Sequence, residues 1–173
     1  MLDVLSIWKQ ETGEDVMSAF QEEVIRHVMR RRDALVVMPS GEDRELCYQV
    51  PAMLMRGLVL VISPRCQERM VNGKLFYIRA ERLQRAMEWL RDRDVGLFVV
   101  DEAQCMGEWQ RDYVRAYADL GQLRRLFPDV PILALTAVSD NVMRNYLISQ
   151  LWLRDGAVFE EVNGDKLYYY ERI

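Results

Sequence analysis

Lysine is scarce in this chain, histidine is almost absent, and cysteine comes as three scattered residues. His27 is the only histidine and falls in the middle of a helical stretch, so imidazole acid–base or nucleophilic catalysis has little to draw on. Cys47, Cys66 and Cys105 show no Cys-x-x-Cys spacing, which argues against a zinc site even with His27 added. Their odd number, with no signal-peptide pattern ahead of them, points to a reducing, cytoplasmic setting. No apolar run approaches the roughly 20 residues that span a bilayer, so no membrane contact is expected. Net positive charge is missing too. The formal charge is −4 and the pI about 5.2, which excludes bulk attraction to DNA or to an anionic membrane and leaves only local patches. Lysine occurs only at Lys9, Lys74 and Lys166 among 23 basic residues. Arginine suits bidentate phosphate and carboxylate contacts, although genome composition accounts for the bias at least as well.

What is present is enough for one α/β domain. The chain has 173 residues, half of them hydrophobic, within the usual range of a single domain. Residues 2–11 and 19–31 place apolar side chains at helical spacing, separated by TGED. Short runs rich in β-branched and aromatic residues follow at 34–38, 58–62, 74–78, 95–101 and 131–137, which read as strands buried on both faces. Amphipathic stretches at 45–55, 81–91, 111–127 and 141–151 separate most of them. This alternation predicts a mostly parallel sheet with helices on both faces. Residues 157–162 and 167–173 add one or two further strands, and Tyr168–Tyr170 suggest sheet surface, an interface or, more weakly, a base-stacking platform. In such sheets ligands lie at the carboxyl ends of the strands, where the loops after residues 38, 62, 100 and 135 converge.

The loop after the first strand, PSGEDRE (39–45), has the place but not the composition of a phosphate-binding loop. Such a loop uses glycines so that backbone N–H groups close on phosphate, a lysine for charge and a hydroxyl for magnesium. Gly41 remains, Arg44 falls at the lysine position, Asp43 replaces a glycine, and Glu45 replaces the hydroxyl residue. With Glu42, three carboxylates would face an anionic ligand, each pair of like charges at ~4 Å costing about 4 kcal/mol at an intermediate dielectric. Mg-ATP in the usual pose is disfavoured. Two readings remain: a polar strand-to-helix connection whose acids suit a helix N-terminus, or a reshaped site whose carboxylates hold a cation.

Taken with LFVVDEAQCMGEWQRDY, LRRLFPDVPILALTA and LYYY, that loop resembles the first RecA-like lobe of a RecQ-family DNA helicase (superfamily 2) over almost the whole chain. The resemblance implies a three-layer RecA-like, P-loop-NTPase fold. It casts Gln21 in FQEEVI as the adenine-recognition glutamine, with Met17 and Ser18 where the family has phenylalanine and arginine. Ser40, Gly41 and Arg44 become the remains of the phosphate loop, and Thr136 the start of the coupling segment, which departs at Val138 and Ser139. It casts Asp101 and Glu102 as the Walker B pair, catalytic in the family, with Asp101 supporting magnesium if the metal binds and Gln104 in place of a histidine. Glu108, Trp109, Asp112 and Tyr113 align with the aromatic-rich loop that couples DNA binding to hydrolysis in the family, with Arg111 and Arg115 among them as a single-strand contact, or else Trp109 and Tyr113 pack on the lobe surface. Cys47 and Cys105 are expected to be packing residues.

After VISP (61–64) the family's helix, strand and helix give way to a short connector. The chain is expected to be a single lobe, with residues 1–32 forming N-terminal helices, 33–162 the α/β core and 163–173 a terminal strand or truncated linker towards an absent second lobe. Its leading function is then a degenerate, pseudo-helicase module that binds protein or single-stranded nucleic acid and takes no cofactor. The alternatives are a residual ATP/Mg²⁺-binding lobe completed by a partner chain, and a module that dimerises through a sheet edge near residues 63–74.

Overall fold

The structure is a computed structural model. It describes residues 17–107, 120–138, 140–162 and 167–173 with Ser6, 8–10, Gly13 and Tyr117, and only the backbone of 42, 43, 162 and 167–171. The strands are β1 (Ala34–Val37), β2 (Leu58–Ile62), β3 (Arg69–Val71), β4 (Leu75–Ile78), β5 (Val95–Val100), β6 (Ile132–Thr136), β7 (Ala157–Val162) and β8 (Leu167–Arg172). The helices are α1 (Ala19–Met29), α2 (Glu42–Leu54), α3 (Ala80–Arg91), α4 (Gly121–Leu126) and α5 (Asn141–Gln150), with a 3₁₀ turn at Ala103–Met106.

All eight strands form one sheet in the order β3-β4-β2-β5-β6-β1-β7-β8. The six inner strands are parallel, and the edges β3 and β8 run antiparallel to β4 and β7. Every residue of β1, β2, β5 and β6 is buried, because successive side chains enter opposite layers. On one face Leu60, Ile62, Phe98, Val100 and Ile132 meet Leu83, Met87 and Leu90 of α3, Leu123 of α4 and Leu147 of α5. On the other, Val36, Val59, Val61, Val99 and Leu135 meet Phe20, Val24 and Val28 of α1 and Cys47, Tyr48 and Ala52 of α2. This is the expected three-layer fold, and the predicted strands and helices hold to within a few residues. Most of the helix expected over 111–127, and most of that over 2–11, lies outside the described residues. Among the described residues no helix is long and apolar enough to cross a membrane.

The connector expected at 65–74 is instead a hairpin. Asn72 and Gly73 both take positive φ (51° and 66°), the amide of Lys74 bonds the carbonyl of Val71 at 3.0 Å, and the chain that enters as β3 returns antiparallel as β4. The Asn-Gly pair that turns it is a recognised hairpin signal. The side chains of Tyr168–Tyr170 are outside the described residues.

Opposite the ligand edge, Asp33 closes the fold. Its Oδ1 accepts from the Ile132 amide at 2.9 Å, its Oδ2 accepts from the Arg154 amide at 2.8 Å and from Arg124 Nη2, and its carbonyl accepts from Ala157 N at 3.1 Å and pairs with His27 Nε2 at 2.9 Å. Gly156 lies so close that a Cβ there would stand 2.2 Å from the Asp33 carbonyl oxygen. His27 is therefore a packing residue, held below its ordinary pKa by burial.

Candidate functional site

The ends of β1, β2, β5 and β6 gather five sequence-nominated residues, and Arg44 is the hub. From the first turn of α2 its guanidinium reaches across the sheet edge to Asp101 Oδ1 at 2.9 Å and Glu102 Oε1 at 2.6 Å. It is 3% exposed. The Ser40 hydroxyl donates to the same Glu102 oxygen at 2.9 Å. Gln104 Nε2 donates to the other Glu102 oxygen, Thr136 Oγ1 donates to Gln104 Oε1 at 2.8 Å, and the Val138 amide donates to Thr136 Oγ1 at 3.2 Å. The loop after β1, the end of β5 and the end of β6 are thus joined in one chain of hydrogen bonds that passes through the Thr136 hydroxyl.

Glu102 enters this network from a left-handed backbone, φ 52° and ψ 46°, a region that non-glycine residues rarely occupy and that recurs at functional sites. Burial alone would raise its carboxyl, but Arg44, Ser40 and Gln104 outweigh that and hold it below the usual range. Burial does raise Asp101, despite Arg44. Ser63 Oγ donates to Asp101 Oδ2 at 3.1 Å, and Tyr117 OH donates to the Asp101 carbonyl at 3.4 Å. Ser63 and Tyr117 carry little sequence signal beyond position: Ser63 starts one of the loops at the ligand edge.

Gln21 and Gly41 lie in the neighbouring groove of roughly 250 Å³, lined also by Ser18, Met38, Pro39, Ser40 and Glu161. Gln21 Oε1 accepts from the Ser18 backbone N–H at 2.7 Å, and the Gln21 backbone N–H donates to Ser18 Oγ at 3.1 Å, so the side chain put forward for adenine closes a capping box on α1. Gly41 is the N-cap of α2. Glu45 Oε2 accepts from Gln49 Nε2 at 2.8 Å, one turn along α2. The side chains of Glu42 and Asp43, the other two acids expected to face a ligand, are outside the described residues. So are Trp109, Arg111, Tyr113 and Arg115. Cys47 is fully buried, with its thiol pushed up to about 12 by burial, and burial pushes Cys105 up to about 11; neither offers a thiolate. Among the described residues, no group of three or more metal-ligating side chains gathers.

No protein-family model matches the chain. The ATP-dependent DNA helicase RecQ of Haemophilus influenzae is 31% identical over 187 residues, taking up 87% of this chain and 30% of that protein. The ATP-dependent DNA helicase Q-like 4B of Arabidopsis thaliana is 31% identical over 193 residues, 86% of this chain and 17% of the relative. This chain is a homologue of part of the RecQ helicases. The RecQ-like lobe thus spans under a third of the length of these relatives. It also superposes on a hypothetical ATP-dependent RNA helicase from Sulfolobus tokodaii with a TM-score of 0.69, covering 93% of this chain and 57% of that one. At 12% identity that match speaks for the RecA-like fold alone. Arg44, Asp101 and Glu102, which the sequence expectation casts as phosphate-loop and Walker B residues, are the three that meet at this edge.

Proposed function

We propose that this RecQ-like lobe is a pseudo-helicase domain: it does not hydrolyse ATP by itself and serves as a protein- or nucleic-acid-binding, regulatory module. One observation carries the reading. The buried Arg44 guanidinium lies on both Walker B carboxylates and supplies, from within the chain, the positive charge that a magnesium ion would bring. To admit Mg-ATP it would have to leave two carboxylates at once, and stranding a buried charge costs several kcal/mol. The site also fits the cofactor poorly elsewhere: Glu45 stands at the metal-ligating hydroxyl position, and Ser40 and the Gln21 carbonyl are engaged within the protein. No hydrolytic step is therefore derived through these residues.

The test is ATP turnover by the purified chain, with and without single-stranded DNA. Turnover at the buffer background, unchanged in Glu102→Gln, is expected; turnover that Glu102→Gln abolishes overturns the proposal. The groove beside Gln21, Ser40 and Gly41 favours one second reading, a residual nucleotide-binding lobe completed by a partner chain. That reading requires Arg44→Lys with Glu45→Ser to strengthen ATP binding sharply.

A further inference from the structure

The pole opposite the Arg44 site carries a concentration of positive charge that the helicase resemblance leaves unused. There β6, β1, β7 and β8 are consecutive neighbours, about 14 Å across at the usual strand spacing. Arg30, Arg31, Arg32, Arg125, Arg154 and Arg172 are all exposed around it, against exposed Asp129 and Asp155. Six cations thus face two anions among the described side chains. The chain as a whole is at −4, so this is a local patch of the kind that bulk charge cannot supply.

Two of these arginines are held without being neutralised. Arg31 Nη2 donates to the Asp129 carbonyl at 3.0 Å, and Arg154 Nη2 donates to the Pro128 carbonyl. Those acceptors are uncharged, so each guanidinium keeps its full charge and further N–H donors while its position is fixed in advance. Arg124 differs: Asp33 pairs it within the fold. The positive field reaches inward as well. After burial, Arg32 and Arg30 both contribute to depressing buried His27.

Beside the arginines stands Trp152, 58% exposed directly after α5, with φ 51°. That position after a helix end favours glycine, and an exposed indole gains little from packing. Arg31 and Asp155 also take positive φ, so three of the five described non-glycine residues with that conformation lie at this pole.

We infer that this pole is a second, independent binding surface for single-stranded nucleic acid, in which Trp152 stacks on a base and the surrounding arginines take the flanking phosphates. Planar guanidinium forks match phosphate, and an exposed aromatic accepts any base, so the surface selects strandedness rather than sequence. An acidic peptide would use the charge but leave the indole without a role. The inference stands whether or not the Arg44 site takes nucleotide.

The test is fluorescence anisotropy of a labelled 20-residue oligothymidylate titrated with the full chain, from 50 to 200 mM salt. Binding is expected to weaken about tenfold in Trp152→Ala and at least tenfold in Arg32→Glu with Arg125→Glu. The charge-reversed variant should also show a salt slope shallower by one to two. Circular dichroism and thermal melts keep a misfolded variant from counting. Failure of the parent to bind at 50 mM salt overturns the inference. So does unchanged affinity in both pole variants while Trp109→Ala with Arg111→Glu lowers it, which would put the strand on the aromatic-rich loop. Equal displacement by polyglutamate with a silent Trp152→Ala would make the pole an acidic-peptide surface and reject it too. None of these outcomes depends on ATP turnover.

Discussion

Among the described residues the two buried arginines, Arg124 and Arg44, each pair with carboxylates, one at each end of the same parallel strands, and the two constellations are built differently. At the amino-terminal ends, Asp33 is 3% exposed, and its two oxygens take two backbone amides and Arg124. It ties the entries of β1 and β6 and the approach to β7 through main-chain groups. At the carboxyl ends, Arg44 joins Asp101 and Glu102, whose side chains remain about a fifth exposed. The links there run between side chains, Glu102 sits in a left-handed backbone, and Asp101 is raised by burial. Each arginine keeps one buried nitrogen without a partner, Nε of Arg124 and Nη1 of Arg44, so the difference lies in the carboxylates. The first arrangement satisfies its carboxylate largely with main-chain groups and ties the fold together. The second leaves its carboxylates partly open to solvent, with a backbone conformation of the kind that recurs at functional sites.

The largest effect should come from breaking the satisfied end. Asp33→Asn leaves Arg124 buried without a counter-charge and is expected to cost about 3–5 kcal/mol, read by chemical denaturation. A loss under about 1 kcal/mol would remove the contrast between the two ends. Gly156→Ala forces a methyl group against the Asp33 carbonyl and should cost about 1–3 kcal/mol, seen as a lowered midpoint with an unchanged denaturant slope. At the other end, cutting the Thr136 to Gln104 bond with Thr136→Val should cost only about 1 kcal/mol, because the neighbouring residues are partly hydrated.

The smallest effect concerns pH. A carboxyl raised on folding, like Asp101, contributes stability that is complete below its unfolded value and lost as pH rises through the folded one. Glu102 is lowered, so its contribution is present above the unfolded value and lost as pH falls through the folded one. Asp101→Asn should therefore gain on the parent as pH rises above about 4, by no more than about 1 kcal/mol at pH 7. Paired melts at pH 4 and 7 check the sign; a gain that shrinks with rising pH would mean that Arg44 fully offsets the burial of Asp101.

The fold was legible because its strands are continuous apolar runs, such as LVLVI and VGLFVV, that only a sheet covered on both faces can bury. The hairpin at 69–78 was written in Asn72-Gly73, yet a three-residue exposed strand leaves almost no hydrophobic pattern. At the candidate site, Ser40, Arg44, Asp101, Glu102 and Thr136 were legible as residues converging on one edge. Their partners were not. That Arg44 would turn to Asp101 and Glu102, that Gln21 would close a cap with Ser18, and that Glu45 would bond Gln49 depends on distances between side chains that spacing along the chain does not encode. The Asp33 constellation links residues about 90 to 120 positions apart and has no local signature at all.

The most direct test of the central claim is calorimetric titration of the purified chain with Mg-ATP and Mg-ADP into the millimolar range. With Arg44 seated on Asp101 and Glu102, binding should be weaker than ~1 mM, worth less than about 4 kcal/mol. Micromolar binding of either nucleotide would contradict the account, because it would mean that Arg44 leaves both carboxylates for phosphate and that GEDRE is a working phosphate loop.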